Sequence, residues 1–114
     1  MKDDRLYLLH IRECIARVES YTAGDRNTFL ASPLIQDAVL RNLQTMGESA
    51  RRLSDTLKAA YPNAEWRGIS GFRNVLVHDY MDLDMDLVCE VIANDLPSFK
   101  RTIATILATF NSDA

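Results

Sequence analysis

At 114 residues, 47% hydrophobic and 25% charged, the chain has the composition of one ordinary globular domain (residues 1–114) with material for a hydrophobic core. A formal net charge of −3 excludes a broad cationic field, so any grip on nucleic acid has to come from a local basic cluster. No apolar run approaches the ~20 residues of a membrane span, the opening Met1-Lys2-Asp3-Asp4-Arg5 has no apolar signal core behind it, and Cys14 and Cys89 lack zinc spacing. The expectation is a cytoplasmic protein, not membrane-bound, with reduced and buried thiols and neither metal nor cofactor.

A first helix is expected from Asp3 or Asp4 to Tyr21, its acidic start suiting the positive end of the helix dipole. Tyr7, Ile11, Cys14, Val18 and Tyr21 recur at spacings of three and four, with Leu8 and Ile15 widening the stripe. His10, between Leu9 and Ile11, reads as a packing or partly exposed histidine rather than a catalytic one. Gly24-Asp25 breaks the pattern, and residues 25–31 make a short helical turn anchored by Phe29 and Leu30. Ser32-Pro33 then starts a long helix, serine as N-cap and proline in the first turn, expected to reach Ala60. Its apolar positions include Leu34, Ala38, Leu43, Met46, Ala50, Leu53 and Leu57. Gly47 within it implies a close helix approach or a bound group. Glu48, with Arg51 and Arg52 three and four positions on, is either a solvated ion-pair face or a carboxylate that supports a site.

Tyr61-Pro62-Asn63 ends that helix. The next carries Trp66, Ile69, Phe72 and Leu76 on one face, despite Gly68 and Gly71. After Met81-Asp82-Leu83-Asp84, a last helix capped by Asp84 or Asp86 runs to about Phe110, with Pro97 expected to kink it or split it at Leu96. The simplest arrangement is all-α: an up-and-down bundle of four main helices plus a short one, with no repeat or domain linker.

Chemistry concentrates in Gly71-Phe72-Arg73-Asn74-Val75-Leu76-Val77-His78-Asp79-Tyr80. Arg73 can grip a phosphate through paired donors and stabilise charge growing on phosphorus. His78 can exchange a proton near neutral pH. Asn74 can orient His78 or a phosphate oxygen, and Tyr80 can stack on an unpaired base. In RNA the neighbouring ribose hydroxyl is an internal nucleophile, so the reaction needs no metal. Spacing by itself does not choose between this and a surface arginine with a helix-terminal histidine capping carbonyls.

The decapeptide resembles the Arg-x-x-x-x-His-x-Tyr signature of HepT-like toxins in the HEPN superfamily. Met46-Gly47-Glu48-Ser49-Ala50 resembles the family's Gly-Glu-Ala segment, with Ser49 a departure. Trp66 and Ile69 match its Trp-x-x-Ile lead-in, and Asp95-Leu96-Pro97 its late Asp-Leu-Pro. The resemblance covers nearly the whole chain. It implies a homodimeric helical bundle with both motifs lining a shared cleft, and a metal-independent ribonuclease toxin leaving a cyclic phosphate. It also implies a minimal nucleotidyltransferase (MntA-like) antitoxin that transfers AMP to the motif tyrosine. Arg73 and His78 would then be catalytic, Asn74 and Glu48 supporting, and Tyr80 the adenylylated residue. Two alternatives stand beside this: a non-catalytic nucleotide- or substrate-binding subunit of a nucleotidyltransferase, and a purely structural helical dimer. The second has no need of Arg73 and His78 among Val75, Leu76 and Val77.

Overall fold

A computed structural model of the chain describes residues 2–69, 72, 76 and 83–112. Among them every regular element is helical. Helix α1 (Lys2–Thr22) follows the expected span and buries Leu8, Ile11, Cys14, Ile15 and Val18, while Tyr21 is largely outside the core. It closes through two left-handed residues, Ala23 (φ 51°) and Gly24 (φ 68°). Glycine adopts that conformation freely, whereas Ala23 holds it at a cost of about 1 kcal/mol. Helix α2 (Arg26–Ala31) is capped by the Asp25 carboxylate and buries Phe29. Ser32 then caps α3 (Pro33–Arg51), its hydroxyl accepting from Ile35 N–H at 3.2 Å, as the Ser-Pro signal implies.

The long third helix does not reach Ala60. It stops at Arg51, and a separate helix α4 (Asp55–Ala60) follows. The cause is a competing acceptor 50 residues away: Ser54 N–H donates to Asp4 Oδ1 at 2.8 Å, and Ser54 Oγ donates to Asp4 Oδ2 at 2.6 Å. The amide that would have continued the α3 ladder is thereby taken by a carboxylate. Ser54 stays extended (ψ 151°), and its hydroxyl accepts from Leu57 N–H to cap α4. Leu34, placed on the apolar stripe by its spacing, is 80% exposed because it precedes the segment of α3 that meets α1.

A helical turn at 66–69 is pinned on both sides. Trp66 Nε1 donates to Tyr61 O at 3.0 Å, and the indole meets Phe99 edge-to-face with centroids 5.8 Å apart. The last helical run comprises α5 (Met85–Glu90), a π-helical turn Val91–Asp95 and α6 (Leu96–Ser112). Asp84 caps it, as expected. Pro97 does not split this run. In an unbroken α-helix its ring would press on the Ala93 carbonyl. The turn just ahead widens instead, with Leu96 N–H donating to Val91 O, and the helix continues.

Contacts of α1 with α3 and the residues just after it run in opposite directions along the chain: Asp4 with Ser54, His10 with Ser49, Cys14 with Thr45. The pair is therefore antiparallel. Glu19, late in α1, pairs with Lys100, early in α6, so α1 sits between these two helices. The core comprises Leu8, Ile11, Val39, Leu43, Leu76, Val88, Phe99, Ile103 and Ile106 with their neighbours. Of the helix expected to carry Trp66, Ile69, Phe72 and Leu76, the residues between and after the last two lie outside the described residues.

Candidate functional site

Of the site residues named from sequence, Glu48 is described; Arg73, Asn74, His78 and Tyr80 lie outside the described residues. Two other members of the decapeptide are described, and both are anchors. Leu76 is helical and 1% exposed, and Phe72 is helical, half-buried and packed against the core. Apolar burial fixes these two positions to the body of the protein.

Glu48 sits on α3 with its side chain 26% exposed. Its Oε1 accepts from Arg51 Nη2 at 3.0 Å and Arg52 Nε at 3.2 Å, so both arginines form the ion pairs their spacing suggested. They are more than half exposed, and such pairs on a wet helix face contribute little stability. Arg52 has another tie that sequence could not show. The Tyr7 hydroxyl of α1, together with Glu48, holds its guanidinium firmly in the charged state, above its ordinary range. Glu48 is thus reached from α1 through a Tyr7–Arg52–Glu48 chain.

A second bridge lies beside it. His10 Nδ1 is 2.6 Å from Ser49 Oγ, and His10 Nε2 is 3.8 Å from Cys14 Sγ. Ser49 is buried while His10 remains exposed at its outer edge, so the histidine ties α1 to α3. Burial pushes the Cys14 thiol up, partly offset by the Thr45 hydroxyl, and pushes Cys89 up likewise. Both are free, buried and poor nucleophiles at neutral pH, as expected. His10 and Ser49 are 39 residues apart in sequence, and no local spacing announces their meeting.

Behind Phe72 lies a cavity of about 430 Å³ between α3, the 66–72 segment and the π turn. Leu43, Met46, Phe72, Leu96 and Phe99 make it largely apolar, and Glu65 and Asp95 are the charged members of its wall. Among the described residues no group of three His, Cys, Asp or Glu side chains is placed to hold a metal, and no helix is long and apolar enough to cross a membrane.

A model of the "Ribonuclease HepT-like" family matches residues 11–106, which include the whole decapeptide. This chain belongs to the ribonuclease HepT-like family. Its class of enzyme is accordingly that of a ribonuclease. Among its curated relatives is a Methanocaldococcus jannaschii protein named as a gamma-glutamylcyclotransferase and provisional RNase. It is 33% identical over 107 residues, covering 93% of this chain and 48% of that protein, so this chain spans about half its length. A protein of Thermococcus cleftensis named a probable ribonuclease HepT is 30% identical over 82% of this chain and 86% of its own. An mRNA nuclease HepT of Shewanella oneidensis is 26% identical over 86% and 91% respectively. No solved structure matches significantly. HepT-like membership agrees with the resemblance carried by the decapeptide, and with an all-helical chain.

Proposed function

We propose that this HepT-like chain is a metal-independent endoribonuclease toxin acting through Arg73 and His78. The observation that carries the reading is the family match across residues 11–106, within which Arg73, Asn74, His78 and Tyr80 share a decapeptide with the apolar anchors Phe72 and Leu76. In the proposed reaction, His78 takes the proton of a ribose 2′-hydroxyl. The resulting oxygen attacks the adjacent phosphorus, Arg73 binds the charge that gathers on the non-bridging oxygens, and the bond to the 5′ oxygen breaks. The products are a 2′,3′-cyclic phosphate and a 5′-hydroxyl. In-line displacement puts the attacking and departing oxygens on opposite sides of phosphorus, so one imidazole cannot serve both. A homodimer whose two motifs share a cleft supplies the second His78 to return the proton.

Control follows from the same stretch. A minimal nucleotidyltransferase antitoxin transferring AMP from ATP to the Tyr80 hydroxyl, with loss of pyrophosphate, adds bulk and a negative phosphodiester two residues from His78. That charge competes with RNA phosphate for Arg73. Glu48, pinned by Arg51 and Arg52, and Asn74 are supporting groups in this scheme.

The test is cleavage of labelled RNA in excess chelator by wild type, Arg73→Ala and His78→Ala, each checked for native helicity. Activity in wild type and its loss in both variants is the expected result. A folded His78→Ala protein that cuts at the wild-type rate ends the assignment. Wild type that binds ATP or AMP but leaves RNA intact puts a nucleotide-binding subunit in its place. For Tyr80, intact mass after incubation with the nucleotidyltransferase and ATP should show added adenylyl in wild type and none in Tyr80→Phe.

A further inference from the structure

A second concavity, of about 340 Å³, lies between the 60–64 turn and the outer face of α6. Tyr61, Asn63, Ser98, Arg101, Thr102 and Thr105 supply its polar wall, completed by alanines and Pro62. Three observations make it distinctive in an acidic protein. Among the described residues its lining contains no carboxylate, and Arg101 is its single charge. Arg101 forms no ion pair with any described residue, which leaves its guanidinium free to meet an anion. The turn opposite is held in shape: Tyr61 N–H donates to Lys58 O, Ala64 N–H to Tyr61 O at 3.2 Å, and Trp66 Nε1 to Tyr61 O at 3.0 Å. Thr102 and Thr105 spend their protons on the carbonyls of Ser98 and Arg101, leaving the guanidinium, the Asn63 amide and the Tyr61 and Ser98 hydroxyls as donors. A preformed groove of nucleotide size offering donors and no acceptor charge matches a phosphodiester with its sugar.

We propose that this groove is an RNA-backbone subsite, with Arg101 on a phosphate of the substrate strand away from the decapeptide. The proposal rests on the ribonuclease reading. It gives an acidic protein the local basic contact that its composition demands of any RNA binder. Arg101 is then a determinant of substrate affinity, and cleavage of a bound strand proceeds without it.

The experiment measures a fluorescently labelled single-stranded RNA by anisotropy at several salt concentrations, alongside steady-state cleavage, for wild type, Arg101→Gln, Arg101→Lys and Asn63→Ala. Arg101→Gln should weaken binding and raise KM by about tenfold, leave kcat unchanged, and lower the slope of log K against log salt by about 0.7. Arg101→Lys should keep the slope, and Asn63→Ala should weaken binding without changing it. Unchanged affinity, KM and slope in Arg101→Gln would overturn the subsite. Loss of nucleotidyltransferase binding in that variant, with RNA terms intact, overturns it too and makes the groove a protein interface. Wild type that binds RNA with the expected Arg101 dependence but never cleaves it sinks the catalytic reading and leaves the subsite standing.

Discussion

Removing one carboxylate, by Asp4→Ala, should destabilise the whole bundle. Asp4 is 4% exposed and is the acceptor for two donors of Ser54, at 2.8 and 2.6 Å. Hydrogen bonds to an ionised group contribute about 1.5–3 kcal/mol each. The pair lies at a helix end where water can partly replace the lost partner, so the lower end of the summed range applies: about 3 kcal/mol. For a domain of this size that corresponds to a fall in Tm on the order of 10 °C. Asp4→Asn keeps an acceptor for the amide and can donate to the Ser54 hydroxyl, so it should cost only about 1 kcal/mol. Urea unfolding followed by far-UV circular dichroism gives both values, and a double-mutant cycle with Ser54→Ala should show a coupling of 1 kcal/mol or more. An Asp4→Ala midpoint within ~0.5 kcal/mol of wild type, at unchanged denaturant slope, would refute the view that this contact ends α3 and starts α4.

Phe99→Ala, at a site 6% exposed that also receives the Trp66 edge, should cost about 3–5 kcal/mol in the same assay. Trp66→Phe keeps the ring contact, loses the bond to Tyr61 O, and should cost about 1 kcal/mol. Arg26→Ala breaks pairs to Asp86 (2.7 Å) and Glu90 (3.5 Å) whose members are all about half exposed or more; less than ~1 kcal/mol should be lost, and added salt should narrow the difference. The buried thiols keep their protons to higher pH than in the unfolded chain, so their effect is nil below about pH 8.5 and stability falls as pH rises above it. Cys14→Ala should flatten that fall in a series of urea midpoints, and an identical slope in wild type and variant would exclude the thiol as its source.

What could be read directly from the chain was whatever is local. Ser32-Pro33, Gly24 and Asp84 carry their structural meaning within three or four residues, and the elements they bound were found where expected. The break after Arg51 was hidden because its cause sits at Asp4, and no periodicity in residues 33–60 reports a carboxylate on another helix. Pro97 was read correctly as a disturbance, but its resolution depended on the helix widening one turn earlier. For the site, the types at Arg73, Asn74, His78 and Tyr80 suggested phosphodiester chemistry, and family membership supports ribonuclease action. The Tyr7–Arg52–Glu48 chain and the His10–Ser49 contact were invisible, since their partners lie on separate helices that meet only in the folded bundle.

The widened turn at Val91–Asp95 means that the final rod holds one residue more than an unbroken coil of the same rise would. Deleting a single residue there, together with replacement of Pro97, can shorten that turn to ordinary pitch while keeping Val88 and Phe99 pointing inward. The same deletion near Ile103 would rotate everything beyond it by ~100° and expose the seam. This stretch is therefore where the chain can change length without losing phase, and relatives differing by one residue should carry their gap there.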